Sequence, residues 1–409
     1  MDFIPLAIPF FLGLLLAELL WSRLSGRAVF SFADTLCSLS MGTLSRLRGF
    51  LVLGVGGIAW AQLEALTPLP AWPLESPLSW LAAFVAYDFC YYLAHRAGHR
   101  VNILWASHVA HHQSEAYNLS TALRQTSTGF LTFFFYLPML ALGVPAELMV
   151  AVGSLNLIYQ FWVHTQAIHR LGFLERILVT PANHRVHHAS NPEYIDKNFG
   201  GVFILWDRLL GTYEDERADC PPRFGLPHAL GSYNPLWANL HHYVAIARAA
   251  RQADTFRGAL GIALAGPETL PATEAVTRAP AVHSTAITAY LGVQFAVLTA
   301  LSLTPLLGQG TPVPQTIFVL WLILGLASLG TALDGRTYAR VLETLRLTLG
   351  LFAPLLAQTP VTVGFSLFCA LSLGVSWRYL PRGQALGPAG TPTTIGRRAE
   401  FSQQAGASS

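Results

Sequence analysis

The stretch that decides the fold is WASHVAHHQSEAYNLSTALRQ, residues 105–125, in which three of the first eight residues are histidine. His108, His111 and His112 are spaced i, i+3, i+4. On a helix this spacing places the three imidazoles on one face, about 5–6 Å apart at Cβ, close enough to converge on a metal. The segment therefore predicts a helix that presents metal ligands.

Two similar segments flank it, and each repeats part of the same spacing. YYLAHRAGHR, residues 91–100, places His95 and His99 four residues apart, and NHRVHHASN, residues 183–191, repeats the i, i+3, i+4 pattern. Ten of the 14 histidines fall between His95 and His188. Even spreading would place about three there, so the clustering indicates a common role.

The rest of the chain is unusually apolar. Its 409 residues are 53% hydrophobic and 11% charged, with a mean hydropathy of +0.44, whereas soluble domains carry about 25% charged residues. This composition predicts a multi-pass integral membrane protein. The net charge of +3 is too small to indicate binding to nucleic acid. Four scattered cysteines without a C-x-x-C pair indicate neither a disulfide framework nor a cysteine metal site.

The apolar segments are long enough for several membrane helices. Phe3–Leu20 predicts an anchor, and Arg23 and Arg27 after it place that end in the cytoplasm by the positive-inside rule. In a bacterium, which is the source we expect, this membrane is the inner membrane. The further apolar segments are 50–63, 77–94, 130–163, 286–307, 316–333 and 345–375.

Segment 130–163 is broken at Gly143 and Pro145, which predicts two helices that enter the membrane and return as a hairpin. The histidines before and after the hairpin then meet on one side. We therefore expect an all-α, multi-pass membrane helical bundle with a histidine-rich two-metal site at the cytoplasmic membrane boundary. Residues 1–280 would form the catalytic domain, 281–380 C-terminal transmembrane helices, and 381–409 a disordered tail.

Eight clustered histidines exceed what one metal accepts, so two metals are predicted, and imidazole suits iron, zinc, copper or nickel. His164, where the hairpin ends, is a ninth candidate. His169, His228 and His283 are isolated, which favours a structural role, and the adjacent pair His241 and His242 stays unassigned because neighbours point apart on a helix. The candidate ligands are His95, His99, His108, His111, His112, His164, His184, His187 and His188.

Two carboxylates are candidates for orienting these ligands or for a catalytic role. Asp88 lies two helical turns before His95, and an acid within an apolar helix is costly and often functional. Glu115 follows the central cluster, and carboxylates commonly hold metal-bound imidazoles. Asp196 and Asp207 are instead expected to be surface or capping residues.

The three boxes HRAGH, HVAHH and HRVHH resemble those of the fatty acid hydroxylase/sterol desaturase superfamily. The longer phrases WASHVAHHQSEAYNLSTALRQ, TPANHRVHHASNPEYIDKNFGG and LWDRLLGTYEDE resemble its alkylglycerol monooxygenase branch, most densely from Asp88 to Glu216. One position departs from the branch, which has Glu directly after the second histidine of the first box. This chain has Arg100 there, which reverses the local charge.

The resemblance implies that the nine histidines bind two iron ions and that the enzyme uses O₂ to hydroxylate an unactivated C–H bond of a lipid chain. In the branch the target is the carbon beside an ether oxygen, and the electrons come from tetrahydrobiopterin. The chain has no G-x-G-x-x-G after a strand and no cysteine set for an iron–sulfur cluster, so a pterin or a redox protein must supply electrons from outside.

Other functions are compatible with the same pattern. Within the enzymes, a hydroxylase or desaturase of sterols, carotenoids or fatty acids is the nearest alternative. A histidine-rich membrane metal-binding or transport protein is an alternative of a different class. Transporters have ionisable residues along a route within the spans, whereas these histidines lie beyond span ends, which favours an active site at the membrane boundary.

Overall fold

The computed structural model describes residues 2–52, 62–67, 69–271, 284–303, 312–353 and 360–380. Within these ranges the chain is helical, and only isolated β-bridges occur, so the predicted all-α class is confirmed. Part of the predicted apolar segment 50–63, the isolated His283 and the predicted tail 381–409 lie outside the described residues.

The N-terminal half contains the helices that surround the histidines. In chain order these are α1 (Ile4–Leu24), α2 (Phe32–Val52), α3 (Pro77–Arg100), α4 (Asn102–His112), α5 (Leu119–Ala122), a 3₁₀ helix (Leu131–Tyr136), α6 (Leu137–Ala141), α7 (Ala146–Trp162), a 3₁₀ helix (Gly172–Arg176), α8 (Pro181–His187) and α9 (Leu205–Leu210).

The C-terminal half continues with a further series of helices. They are α10 (Pro235–Ala250), α11 (Phe256–Leu264), a 3₁₀ helix (Pro267–Thr269), α12 (Thr285–Ser302), α13 (Pro312–Leu333), α14 (Ala339–Leu351) and α15 (Pro360–Tyr379).

Three described helices are long and apolar enough to cross a membrane: Ile4–Leu24, Thr285–Ser302 and Gln315–Leu333. They correspond to the first, fifth and sixth apolar segments of the sequence. The chain is therefore a membrane protein with several apolar helices, as its composition predicts.

The predicted hairpin at segment 130–163 has unequal arms. Its turn lies at Gly143, whose φ of +84° suits glycine, and α7 forms a second arm of 17 residues. The first arm, Leu131–Ala141, is only 11 residues long and begins as a 3₁₀ helix. Because a helix of this length is too short for a hydrocarbon core of about 30 Å, this arm does not cross a bilayer.

The buried apolar side chains place α4 and α8 in the interior of the N-terminal half. Helix α3 packs against α4 and α7, and α10 also packs against α4. A separate large apolar cluster joins α2 to α12 and α13 through Leu44, Leu298 and Leu322. The histidines on α4 and α8 thus lie inside the N-terminal half, with α3 packed against α4.

Candidate metal centre

The helices bring the nine predicted histidines together in two adjacent groups. Within each group, one donor atom of every member lies within 4.8 Å of the donor atom of every other member. The five-histidine group consists of His95, His99, His108, His112 and His187, and the four-histidine group of His111, His164, His184 and His188.

The division between the groups follows helix geometry. On α4, His108 and His112, four residues apart, belong to the five-histidine group, while His111 points to the four-histidine group. At α8 the assignment is reversed. His184 and His188, four residues apart, belong to the four-histidine group, and His187 belongs to the five-histidine group. Residues four apart on a helix lie nearly above one another, and the residue between them is displaced around the axis. Each triplet therefore contributes to both groups.

The nitrogen–nitrogen distances fit two bound metal ions. The Nε2 atom of His108 lies 2.9 Å from that of His95 and 3.0 Å from that of His112. In the other group, Nε2 of His164 lies 2.9 Å from that of His184 and 3.2 Å from that of His111. Metal–imidazole bonds of about 2.1 Å place neighbouring ligands at right angles about 3 Å apart. The donor set therefore fits a transition metal in each group.

The imidazoles are buried in their neutral form. Burial lowers the pKa of His111 to about 4 and that of His188 well below its usual range, and neighbouring histidines lower the pKa of His188 further. The neutral form is the one that binds metal. The Nε2 atoms of His99 and His187 are buried without a hydrogen-bond partner, as expected of atoms whose partner would be a metal ion.

Backbone carbonyls orient two members of the five-histidine group. Nδ1 of His95 lies 2.8 Å from the carbonyl oxygen of Phe199, and Nδ1 of His187 lies 3.0 Å from that of Lys197. With the Nδ1–H donated to a carbonyl, the Nε2 lone pair is left to face the metal position. Residues 196–199 thus determine how these rings are presented.

The four-histidine group has similar supports from other parts of the chain. Nδ1 of His164 lies 2.8 Å from the carbonyl oxygen of Gln160, one turn earlier on α7. Nδ1 of His111 lies 3.2 Å from the carbonyl oxygen of Arg124. The Arg124 guanidinium is itself buried and pairs with Asp34 on α2 at 2.6 Å. Helix α2 thereby fixes the segment that orients His111.

The loop after α8 is held in shape by side chains that accept its amide hydrogens. Asn198 has a φ of 56°, and its side chain bonds the backbone of Asn183 and Glu214. Asp207 accepts hydrogen bonds from the amides of Phe199 at 2.7 Å and Gly200 at 2.8 Å. Asp207 is fully buried and stabilises this loop, so it is not the surface or capping residue that the sequence predicts.

Asp88, a candidate for orienting a ligand, bonds the same loop, and its hydrogen-bond partners in the described part of the chain include no histidine. Its carboxylate accepts hydrogen bonds from the amides of Val202 and Phe203 at 2.8 and 3.0 Å, from the Trp206 indole at 2.9 Å, and from Asn156 at 2.7 Å. An acid in an apolar helix is stabilised by such a set of donors. The geometry supports a role in fixing the loop, one step removed from the ligands.

Glu115, the second candidate, lies beside the Asp34–Arg124 pair. Among the described residues it forms no hydrogen bond to a histidine. Partial burial raises its pKa, Asp34 raises it further, and Arg124 opposes this effect. Its side chain packs against Gly225, whose φ is +94°. This placement provides no direct contact with either histidine group.

Asp196 is the ligand-contacting residue that the sequence analysis missed. Its Oδ1 atom lies 3.6 Å from Nδ1 of His99, and its Oδ2 atom lies 2.9 Å from the Arg100 guanidinium. Partial burial raises its pKa, but the contacts with His99 and Arg100 outweigh this effect and hold the pKa below its usual range. Asp196 lies 97 residues after His99 in the sequence, so helical spacing could not assign it to that ligand.

The histidines outside the clusters join neither group. His169 and His228 are exposed, and among the described residues no metal-ligating group includes them. His241 and His242 lie on α10, where His242 Nε2 is 3.0 Å from the Asn102 side chain. That contact ties α10 to the start of α4, which is a structural role.

The comparisons with known proteins agree with this site. Residues 80–212, which include all nine histidines, match the fatty acid hydroxylase family model. Human alkylglycerol monooxygenase is 36% identical over 364 residues, covering 84% of this chain and 81% of that protein, and the Danio rerio protein of the same name is 36% identical over 361 residues, covering 84% and 80%.

A bacterial relative is more distant, and no solved structure matches the chain. The ornithine lipid hydroxylase OlsE of Rhizobium tropici is 27% identical over 217 residues, covering 50% of this chain and 62% of that protein. The family resemblance that the histidine boxes indicate is thus confirmed, and it extends over most of the chain. The chain belongs to the alkylglycerol monooxygenase family of oxidoreductases.

Proposed function

We propose that this chain is an integral membrane di-iron monooxygenase that hydroxylates the ether-adjacent carbon of an alkylglycerol. The observation that carries the proposal is the convergence of nine buried or partly buried histidines into two adjacent groups in a chain with apolar helices. The family relationship favours a lipid chain as substrate. The same site would suit other lipid chains, so the ether linkage is the part that the experiment below tests.

The residues of the site support iron as the metal. Neutral imidazoles are suitable ligands for iron, and the two groups would hold one ion each. When bound, the ions would supply the activation of O₂ that a C–H bond requires. The protein contributes preset ligand positions, because carbonyl oxygens fix the rings of His95, His111, His164 and His187.

The proposed reaction balances with an external donor of two electrons. One oxygen atom of O₂ enters the C–H bond beside the ether oxygen, and the other leaves as water with two protons and two electrons. The product is a hemiacetal, which breaks its C–O bond to give a fatty aldehyde and a glycerol derivative. Tetrahydrobiopterin is the donor that we propose, with a redox protein as the alternative.

We also propose that the site faces the cytoplasm of a bacterial cell. Glu18, near the C-terminal end of α1, is buried and accepts hydrogen bonds from the Leu119 amide at 2.7 Å and from Thr165. Leu119 and Thr165 lie close in sequence to the histidines, so this end of α1 lies beside the site. Arg23 and Arg27 follow directly, and the positive-inside rule assigns them to the cytoplasm.

The test is an incubation of iron-loaded protein in lipid nanodiscs with an alkylglycerol under ¹⁸O₂, with and without tetrahydrobiopterin. We expect labelled fatty aldehyde only when reductant is present. The matched control is the ester analogue with the same chain length, which should give no aldehyde. An ω- or mid-chain hydroxylated product from both lipids would instead identify a fatty acid hydroxylase.

The metal-transport alternative gives a different result when the same protein is reconstituted into sealed vesicles. A transporter in sealed vesicles would move radioactive iron or zinc across the bilayer and consume no oxygen. We expect oxygen uptake that depends on lipid and reductant, and no metal flux above that of empty vesicles. Metal flux without oxygen uptake would refute the proposed function.

A further inference from the structure

One short segment, residues 196–199, supports three of the five members of the five-histidine group. The carbonyl oxygens of Lys197 and Phe199 lie 3.0 and 2.8 Å from the Nδ1 atoms of two ligands. The Asp196 carboxylate lies 3.6 Å from Nδ1 of a third, His99. That is an ion-pair distance, longer than an ordinary hydrogen bond. The segment therefore combines two neutral acceptors with one charged group.

The four-histidine group lacks such a charge. The Nδ1 partners of His164 and His111 are backbone carbonyls, and Nδ1 of His184 is buried without a hydrogen-bond partner. Among the described residues, no carboxylate lies within ion-pair distance of a member of this group. The two metal positions therefore differ in their surroundings as well as in their number of ligands.

The Arg100 side chain and the loop backbone hold the Asp196 carboxylate in position. The exposed Arg100 guanidinium binds its Oδ2 atom at 2.9 Å, which leaves Oδ1 towards His99. The backbone of Asp196 has a φ of 61°, a left-handed conformation held by the loop around it. A negative charge near Nδ1 makes an imidazole more basic and orients its ring, and both effects strengthen metal binding through Nε2.

We propose that Asp196 is a positioning residue for His99 and makes the five-histidine group the tighter of the two metal sites. The inference rests on the proposed function only for the presence of two metals. Metal then binds in two steps, and the five-histidine group fills first. Removing the Asp196 charge weakens the first step and leaves the second unchanged.

The experiment is a Co²⁺ titration of the full-length, metal-free protein in detergent, followed by its visible absorption. We expect two binding steps. Asp196→Asn should raise the dissociation constant of the tighter step about 10–100-fold, the usual effect of removing an outer partner of a ligand. Asn suits the left-handed φ, so the loop keeps its shape. Asp196→Gly, which also suits that φ, should reproduce the loss.

Two further variants identify the steps and control for charge. His164→Ala should remove the weaker step, which assigns that step to the four-histidine group. Asp219→Asn removes an exposed carboxylate that pairs with Arg217 at 2.8 Å and should change neither step. An equal weakening of both steps by Asp196→Asn, a change in the weaker step alone, or no change would each overturn the proposal.

The lipid assay separates this inference from the proposed function. A wild-type protein that oxidises no lipid but shows the selective loss in Asp196→Asn would disprove the monooxygenase and support the positioning role. A protein that oxidises lipid but whose two Co²⁺-binding steps weaken equally in Asp196→Asn would support the monooxygenase and disprove the positioning role.

Discussion

His111 and His112 are neighbours in the sequence but belong to different histidine groups. The spacing of the clusters predicts that imidazoles converge and that one metal cannot use them all. It does not predict which ring joins which group, because that depends on how α4 and α8 cross. The i, i+4 spacing pairs His108 with His112 and His184 with His188, but which group each pair joins depends on tertiary packing and has no periodic signal in the sequence.

Removing one ligand from each group tests the partition. We expect His111→Ala and His187→Ala each to abolish lipid oxidation and to lower the iron content from two ions towards one, because each removes a ligand from a different group. Iron analysis of purified protein, together with membrane fractionation, measures the effect. His169→Ala, an exposed histidine outside both groups, is the control. Full turnover in either ligand variant would contradict the assignment.

Arg100 is the residue at which this chain departs from the pattern of its family. Its guanidinium is 60% exposed and pairs with Asp196, beside the five-histidine group. We expect Arg100→Glu to change the ratio of the rates with tetrahydrobiopterin and with a reduced ferredoxin, because it reverses the charge next to a ligand.

The comparison for this variant is Arg217→Glu, which reverses another exposed arginine that is paired with an aspartate. Reaction rates are measured with each donor at the same ionic strength. Identical donor ratios in the wild type and in Arg100→Glu would show that Arg100 does not influence the choice of reductant.

At the level of elements, the loop between α8 and α9 has the greatest influence on the site. Its amides bind Asp88 and Asp207, and its carbonyls bind two histidines. The sequence could not reveal this function, because backbone carbonyls look the same at every position. The helices were predictable because their apolar runs are long. The short 3₁₀ arm at Leu131–Tyr136 was not, since hydropathy does not distinguish it from a helix that spans the membrane.

Gly201 shows how closely this loop approaches α3. A Cβ atom at Gly201 would lie 2.8 Å from Asp88 Oδ1 and 2.8 Å from the Tyr91 ring. We expect Gly201→Ala to destabilise the protein by about 1–3 kcal/mol through overpacking and to lower metal occupancy. Thermal unfolding and metal analysis measure both effects.

The matched control is Gly261→Ala on α11, where an added Cβ meets no atom within 4 Å. We expect that variant to be neutral or slightly stabilising, since alanine is the better helix former. Equal unfolding temperatures for the two variants would show that the close approach at Gly201 has no energetic consequence.

For the whole molecule, the C-terminal helices extend the fold that contains the site. Asp334, at the end of α13, accepts hydrogen bonds from the Tyr233 amide at 2.6 Å and from Ser232 at 2.5 Å, just before α10. A Cβ atom at Gly330 would lie 2.5 Å from Asn234. Helix α10 in turn covers α4. The two segments that we predict, 1–280 and 281–380, are therefore in direct contact, and the second helps to hold the helices that cover the site.

Truncation tests this coupling. We expect residues 1–280 alone to lose cooperative unfolding and metal binding, because removing α12 and α13 exposes the apolar face of α2 and releases α10. The control removes only residues 381–409, whose composition predicts disorder, and should retain both properties. Metal content and thermal unfolding in detergent measure the outcome. A stable, metal-binding 1–280 fragment would establish an independent catalytic domain.

The interleaving of ligands also has a consequence for biosynthesis. The five-histidine group is incomplete without His187, and the four-histidine group without His184 and His188, all within or beside α8. A ribosome must therefore translate past residue 188 before either ion can acquire its full ligand set, and both sets are completed within five codons. Neither group can therefore bind a metal with all of its ligands until codon 188 has been translated, and both groups gain that ability almost at once.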